Sequence, residues 1–125
     1  MDSIIWREWL AQHAQKYQAF YYNVRLGQTR PAAQGLTEAE TRAWELINFL
    51  RADAIGSRKG ELIVFEVKQL AVPRDLFQAL GYLALLQREV ASFTQTDAAL
   101  VCFRTDQETR RLGRELKVSV YETGR

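Results

Sequence analysis

The stretch Glu61-Leu62-Ile63-Val64-Phe65-Glu66-Val67-Lys68 decides how this chain is read. β-Branched and aromatic residues fill it, and the turn-like Gly56-Ser57-Arg58-Lys59-Gly60 precedes it, so it reads as a strand. Alternate residues of a strand share a face, which sets Leu62, Val64, Glu66 and Lys68 on one side and Ile63, Phe65 and Val67 on the other. The first half is apolar on both faces, as in a central strand covered by helices. The face that carries Leu62 and Val64 then switches to a carboxylate and an ammonium. Taken alone, Glu66 and Lys68 could simply meet water at a strand end.

The residues just upstream argue against that. Arg51-Ala52-Asp53-Ala54-Ile55 reads as a second short strand entering the same turn. A hairpin through Arg58-Lys59 or Lys59-Gly60 has a register that puts Asp53 and Glu66 on one face, opposite or diagonal, about 5 to 8 Å apart. Two carboxylates so close repel each other and call for a cation between them. Hard oxygen ligands with room for water suit Mg²⁺ or Mn²⁺. Lys68 reaches the same pocket as a point charge or proton-transfer group.

Asp53 followed across a hairpin by Glu66-x-Lys68 resembles the core of the PD-(D/E)XK nuclease superfamily, which includes restriction endonucleases and Holliday-junction resolvases. Gln78-Ala79-Leu80-Gly81-Tyr82 in the next helix is similar to the Gln-x-x-x-Tyr that many members carry. The resemblance spans roughly residues 37 to 104, and its motifs gain specificity from their order and spacing together. The sequence departs from the family name at Ala52, where the pattern has Pro. Tyr22-Asn23-Val24-Arg25-Leu26-Gly27 also resembles segments of small phage and prophage proteins.

The resemblance implies a divalent-metal-dependent nuclease acting on DNA rather than RNA, with a restriction endonuclease-like core. Asp53 and Glu66, helped by the Val67 carbonyl, would hold Mg²⁺ or Mn²⁺. Lys68 would stabilise the developing charge, Gln78 would orient Lys68 or hold a phosphate, and Tyr82 would support Gln78. The superfamily often supplies a further Glu from the helix before the Asp strand. That helix begins at Thr37-Glu38-Ala39-Glu40, a capping-box pattern, and is expected to run to about Leu50, burying Ala43, Leu46, Ile47 and Leu50. By helical phase Glu40 borders the buried stripe and is the candidate ligand, while Glu45 points away. The alternative role for Glu40 is to close the capping box at Thr37 and nothing more. The rival expectation is an inactive nuclease-like scaffold that binds nucleic acid or serves as a phage structural module. Metal binding separates the two.

The chain has 125 residues, 47% apolar and 26% charged, which suits one globular domain with its own core. Residues 1–36 read as an N-terminal helix and strand added to a core at 37–121. Cys102 is the one cysteine, so no internal disulfide forms, and its apolar neighbours mark it as a core residue. With His13 the one histidine, His/Cys zinc sites and Ser-His or Cys-His catalysis are very hard to build here. His13 is expected on the exposed side of the first helix. No run is long and apolar enough to span a membrane and no signal peptide opens the chain, so a cytoplasmic setting is the default expectation. A net charge of +2 is mild for a nucleic-acid binder. So compact a protein grips a duplex poorly by itself, which favours a homodimer or a larger partner.

Along the chain, Asp2 and Ser3 cap a helix to about Gln18. Ala19 to Leu26 follows as a strand whose aromatics suit packing more than base stacking. Gln28 to Leu36 reads as a loop flanked by Arg25 and Arg30, which are candidate phosphate contacts. Pro73 opens a helix to about Ala91 that is expected to be largely buried. Gln78 and Tyr82, four apart on it, share a face and need polar partners at the end of the Glu66-Lys68 strand. A buried strand at 97–103, a helix capped by Thr105-Asp106 and ending at Gly113, and a half-exposed strand at 116–121 complete the order. Arg104, Arg110, Arg111, Arg114 and Lys117 are interleaved with acids and read as a solvated helix face. The whole is an α/β fold, a mixed central sheet flanked by helices.

Overall fold

A computed structural model describes residues 1–26, 34–41, 50–92 and 94–124. Helix α1 (Ser3–His13) is followed by a short 3-10 turn, strand β1 (Ala19–Leu26), strand β2 (Leu50–Arg58) and strand β3 (Glu61–Ala71). Helix α2 (Pro73–Glu89), strand β4 (Gln95–Thr105), helix α3 (Gln107–Leu116) and strand β5 (Ser119–Glu122) complete the chain. The five strands form one mixed sheet in sequence order. β1 pairs antiparallel with β2 and β2 with β3, whereas β4 and β5 add in parallel, each after a helical crossover. This is the α/β arrangement expected from the sequence.

Helices cover both faces. On one, Leu76, Ala79, Tyr82 and Leu86 of α2 join Ile55, Val64, Leu100 and Cys102 of the sheet, with Leu112 and Leu116 of α3 against them. On the other, Ile5, Trp6 and Trp9 of α1 pack on Ala54, Ile63, Phe65, Val67 and Val101. The alternation within β3 therefore holds: Val64 and Phe65 are both buried, beneath different helices. Aromatic rings concentrate beneath α1, where Trp6 stacks on Trp9 at 4.9 Å between centroids.

The β2–β3 reversal is one of the two hairpin turns that the sequence offered, although most of the turn-like stretch ahead of β3 proves to be strand. Gly56, Ser57 and Arg58 belong to β2, and the reversal is Lys59-Gly60 alone, both at positive φ, with Arg58 opposite Glu61. Gly56 is there for closeness instead: a Cβ would lie 2.9 Å from the Tyr17 ring and 3.0 Å from that of Phe65. Gly113 misled in the same way. It lies inside α3, where a Cβ would come within 2.7 Å of Val120, and the helix continues to Leu116 before Lys117 turns it off in the left-handed conformation. Leu50 opens β2 rather than ending a helix. The helical turn at 38–41 matches the expected start of that helix; residues 42–49, with Ala43, Glu45, Leu46 and Ile47, lie outside the described residues.

Two burial expectations also fail. His13 is not free on the helix surface: it stacks on Trp9 at 4.9 Å and meets Tyr121 at 5.0 Å. α2 is not largely buried: its buried residues are Asp75, Leu76, Ala79, Tyr82 and Leu86, and Phe77 is 58% exposed. Cys102 is fully buried, as expected, and burial pushes its thiol up to about 11.

Candidate functional site

The site lies where two strands part. The β2–β3 ladder runs from Arg58–Glu61 to Ala54–Phe65. Past that pair β2 stays joined to β1 as far as Leu50, while β3 stays joined to β4 as far as Ala71. Continuing the register by one step would set Asp53 against Glu66. Strands that separate leave backbone groups without ladder partners, and such groups must be satisfied some other way. Asp53 does this for β3: its Oδ2 accepts the Val67 N–H at 2.9 Å. The carboxylate thus lies in the seam between the strands.

Glu66 is held beside it with far less compensation. It is 2% exposed, beneath α2, and its Oε1 has no hydrogen-bond partner. Its Oε2 lies 4.0 Å from the Nζ of Lys68, whose side chain is half-buried. Burial, followed by the Asp53 carboxylate, raises the Glu66 carboxyl from 4.5 to about 7. The Lys68 ammonium and the Asp53 backbone amide oppose the rise without cancelling it, and Asp75 adds to it. Near neutral pH this carboxyl is therefore divided between charged and neutral forms. An added cation would tip it to the carboxylate.

The polar pair on α2 meets the site through Tyr82, while Gln78 is exposed. Gln78 Nε2 donates to the Tyr82 hydroxyl at 3.1 Å, and Tyr82 is nearly buried. Burial raises the Tyr82 phenol, the Gln78 bond lowers it, and Glu66 and Asp53 both raise it further, so this hydroxyl lies within their field. Asp75 is a charged neighbour that the motif pattern did not single out. It is buried at the first turn of α2, and its Oδ2 accepts the Val72 N–H at 2.9 Å. An acid three residues past the helix start was the readable signal for it.

The remaining candidates lie elsewhere. Glu40 is exposed and closes the capping box: its Oε1 accepts the Thr37 N–H at 3.1 Å, and its own N–H donates to the Thr37 hydroxyl at 3.2 Å. Those bonds lower its carboxyl. Arg25 sits exposed on β1, the edge strand, and Arg30 lies outside the described residues. On α3, Arg111 pairs with Glu108 at 3.4 Å and Arg110 pairs with Glu122 of β5.

The site's donors suit a divalent cation. A buried carboxylate oxygen without a partner, beside a second carboxylate, is what such an ion would satisfy. Among the described residues no group of three or more His, Cys, Asp or Glu converges on one point. A cation here would draw on two carboxylates, main-chain oxygen and water, a set that fits ions which keep several waters.

The fold has counterparts among solved structures. A crystal structure of a repair endonuclease from Pyrococcus abyssi matches 98% of this chain with a TM-score of 0.53 and 13% identity. The fold is shared with a repair endonuclease. A complex of EndoMS with double-stranded DNA matches 96% of the chain at a TM-score of 0.55 and 14% identity. A protein of unknown function matches 93% at 0.58 and 9% identity. The chain spans about half the length of these structures, 46%, 43% and 55% respectively. Its sequence matches no family model and no curated protein. Among the described residues no helix is long and apolar enough to cross a membrane.

Proposed function

We propose that this protein is a divalent-metal-dependent nuclease of the PD-(D/E)XK type, hydrolysing phosphodiester bonds in DNA. The observation that carries the reading is Glu66, a buried carboxyl with an unpartnered oxygen set against Asp53 and only partly offset by Lys68. A protein that needed this place only for stability would do better with an apolar residue. Asp53, Glu66 and the Val67 carbonyl would hold Mg²⁺ or Mn²⁺, while Glu40 stays with its helix cap. When bound, the ion supplies Lewis acidity toward a phosphoryl oxygen and makes water more acidic.

The chain's own groups do the rest. Asp53, tied to the Val67 N–H, is fixed before any ligand arrives, which lowers the ordering cost of binding. Lys68, half-buried beside Glu66, offers a compact positive charge to a phosphate whose negative charge grows during attack. Gln78 donates to the Tyr82 hydroxyl and would hold it in place near the carboxylates, whose charge reaches the Tyr82 phenol. DNA as substrate is supported by the two endonuclease and DNA-complex neighbours. A homodimer or a larger partner, as the compactness of this domain leads one to expect, would complete the grip on a duplex.

The test is calorimetry with Mn²⁺ on the wild type, Asp53→Ala and Glu66→Ala, beside cleavage of mixed single-stranded, duplex and branched DNA. Binding by the wild type alone, with cleavage lost in both variants, is the expected result. Equal Mn²⁺ binding by all three proteins would remove the metal site. Binding without cleavage of any DNA form would favour the inactive scaffold.

A further inference from the structure

Asn23 stands at a singular point of the sheet. It is a non-glycine residue in the middle of β1 with φ of 51°, in the left-handed region that ordinary L-residues avoid. The β1–β2 ladder keeps one register on both sides of it, with Tyr22 opposite Ala54 and Val24 opposite Ala52. The residue that this register sets across from Asn23 is Asp53.

Side chains change faces at the same point. Before it, Phe20 and Tyr22 pack toward α1; the Tyr22 hydroxyl accepts the Trp6 Nε1–H at 3.0 Å. After it, Val24 and Leu26, which alternation would send the same way, pack instead on the α2 face. β2 follows suit: Ala54 lies beneath α1, whereas Ala52 belongs to the α2 core. An uninterrupted antiparallel ladder keeps even residues on one face throughout. The exchange is therefore concentrated at the Asn23–Asp53 pair, where β1 takes the left-handed conformation. A residue at such a changeover need not point squarely to either face, and Asp53 directs its carboxylate along the seam to the Val67 N–H.

We propose that Asn23 is a positioning residue for Asp53: its left-handed backbone turns the β1–β2 ribbon over at this pair and so swings the Asp53 carboxylate into the seam beside β3. The proposal rests on the reading of Asp53 as a metal ligand for its consequence, though not for its geometry. Asparagine suits the position because, with aspartate, it enters the left-handed region most readily among residues that carry a side chain. Glycine would enter it freely, and a β-branched residue would resist it.

The experiment compares Asn23→Gly, Asn23→Ala and Asn23→Val by two readouts. The first, free of metal and substrate, is hydrogen exchange of the Val67 amide, which the Asp53 carboxylate protects. The second is Mn²⁺ affinity by calorimetry. Asn23→Gly should keep both within about threefold of wild type, a rescue that a lost side-chain contact would not give. Asn23→Val should lose at least about tenfold in Val67 protection relative to the Phe65 amide, and at least about tenfold in Mn²⁺ affinity. Should the valine variant fail to fold, Asn23→Ala decides by the same readouts, with a smaller loss in the same direction. Wild-type protection and affinity in Asn23→Val, or equal losses in the glycine and valine variants, would overturn the proposal. If the wild type binds no Mn²⁺ but Val67 protection still follows the backbone preference, the metal reading fails while the positioning role stands.

Discussion

Replacing Glu66 with Gln tests the site through stability alone. Glu66 is raised from 4.5 to about 7 by burial and by Asp53, so in the metal-free fold its neutral form is the favoured one. A carboxyl with a raised folded value contributes stability that is complete below the ordinary value, 4.5, and is lost as pH climbs through about 7. At about 1.4 kcal/mol per unit, the wild type loses on the order of 3 kcal/mol across that window. For a chain of this length that corresponds to roughly 10 °C in Tm. Glu66→Gln keeps the shape and cannot ionise. Its Tm relative to wild type should therefore rise by about 10 °C between about pH 5 and about pH 8, measured in chelator. Taking the difference between the two proteins removes the titration of His13 and the other carboxylates, which both share. Excess Mn²⁺ should reverse the order at the higher pH, raising the wild type and leaving the variant where it was. A Tm difference that stays constant across the window would show that Glu66 is not a buried acid in a field of negative charge.

Further outcomes follow from the same geometry. Lys68→Ala should abolish cleavage while Mn²⁺ affinity changes little, since its charge matters most in the transition state; Lys68→Arg should rescue only in part, because the guanidinium is planar and bulkier, and wild-type turnover in Lys68→Ala would refute the role. Glu40→Ala should lower Tm through its lost cap and leave Mn²⁺ affinity unchanged; a steep loss of affinity would return Glu40 to the ligand set. Gly113→Ala should destabilise by about 1 to 3 kcal/mol, because its Cβ would strike Val120. Gly81→Ala, in open space midway along α2, should stabilise by about 0.5 to 1 kcal/mol, and denaturant melts of the two variants check both signs.

Much of the site was legible because its signals are local. Glu66 and Lys68 break an apolar alternation, Asp53 lies within hairpin range of them, and Gln78 and Tyr82 are one helical turn apart. Asp75 went unnoticed because an acid in a first helical turn is ordinary in sequence; only packing brings it within the field of Glu66 and Cys102 on the central strands. Gly56 and Gly113 were misread for one reason: a glycine demanded by a neighbour's side chain looks, in sequence, like a glycine demanded by a turn.

The sequence by itself determined the kinds and order of the described elements, since period-two and period-3.6 patterns record which faces of each are apolar. It also placed Asp53, Glu66 and Lys68 close together, because a two-residue turn fixes a hairpin's register. Tertiary structure decided what those groups experience. That β2 and β3 part after Ala54–Phe65, that Asp53 lies in the seam, and that Glu66 carries an unsatisfied oxygen depend on how the strands twist and what α2 covers. Twist and burial arise from contacts between residues distant in the chain, such as Asp53 with Val67 and Ala71 with Thr105, and no local pattern encodes them.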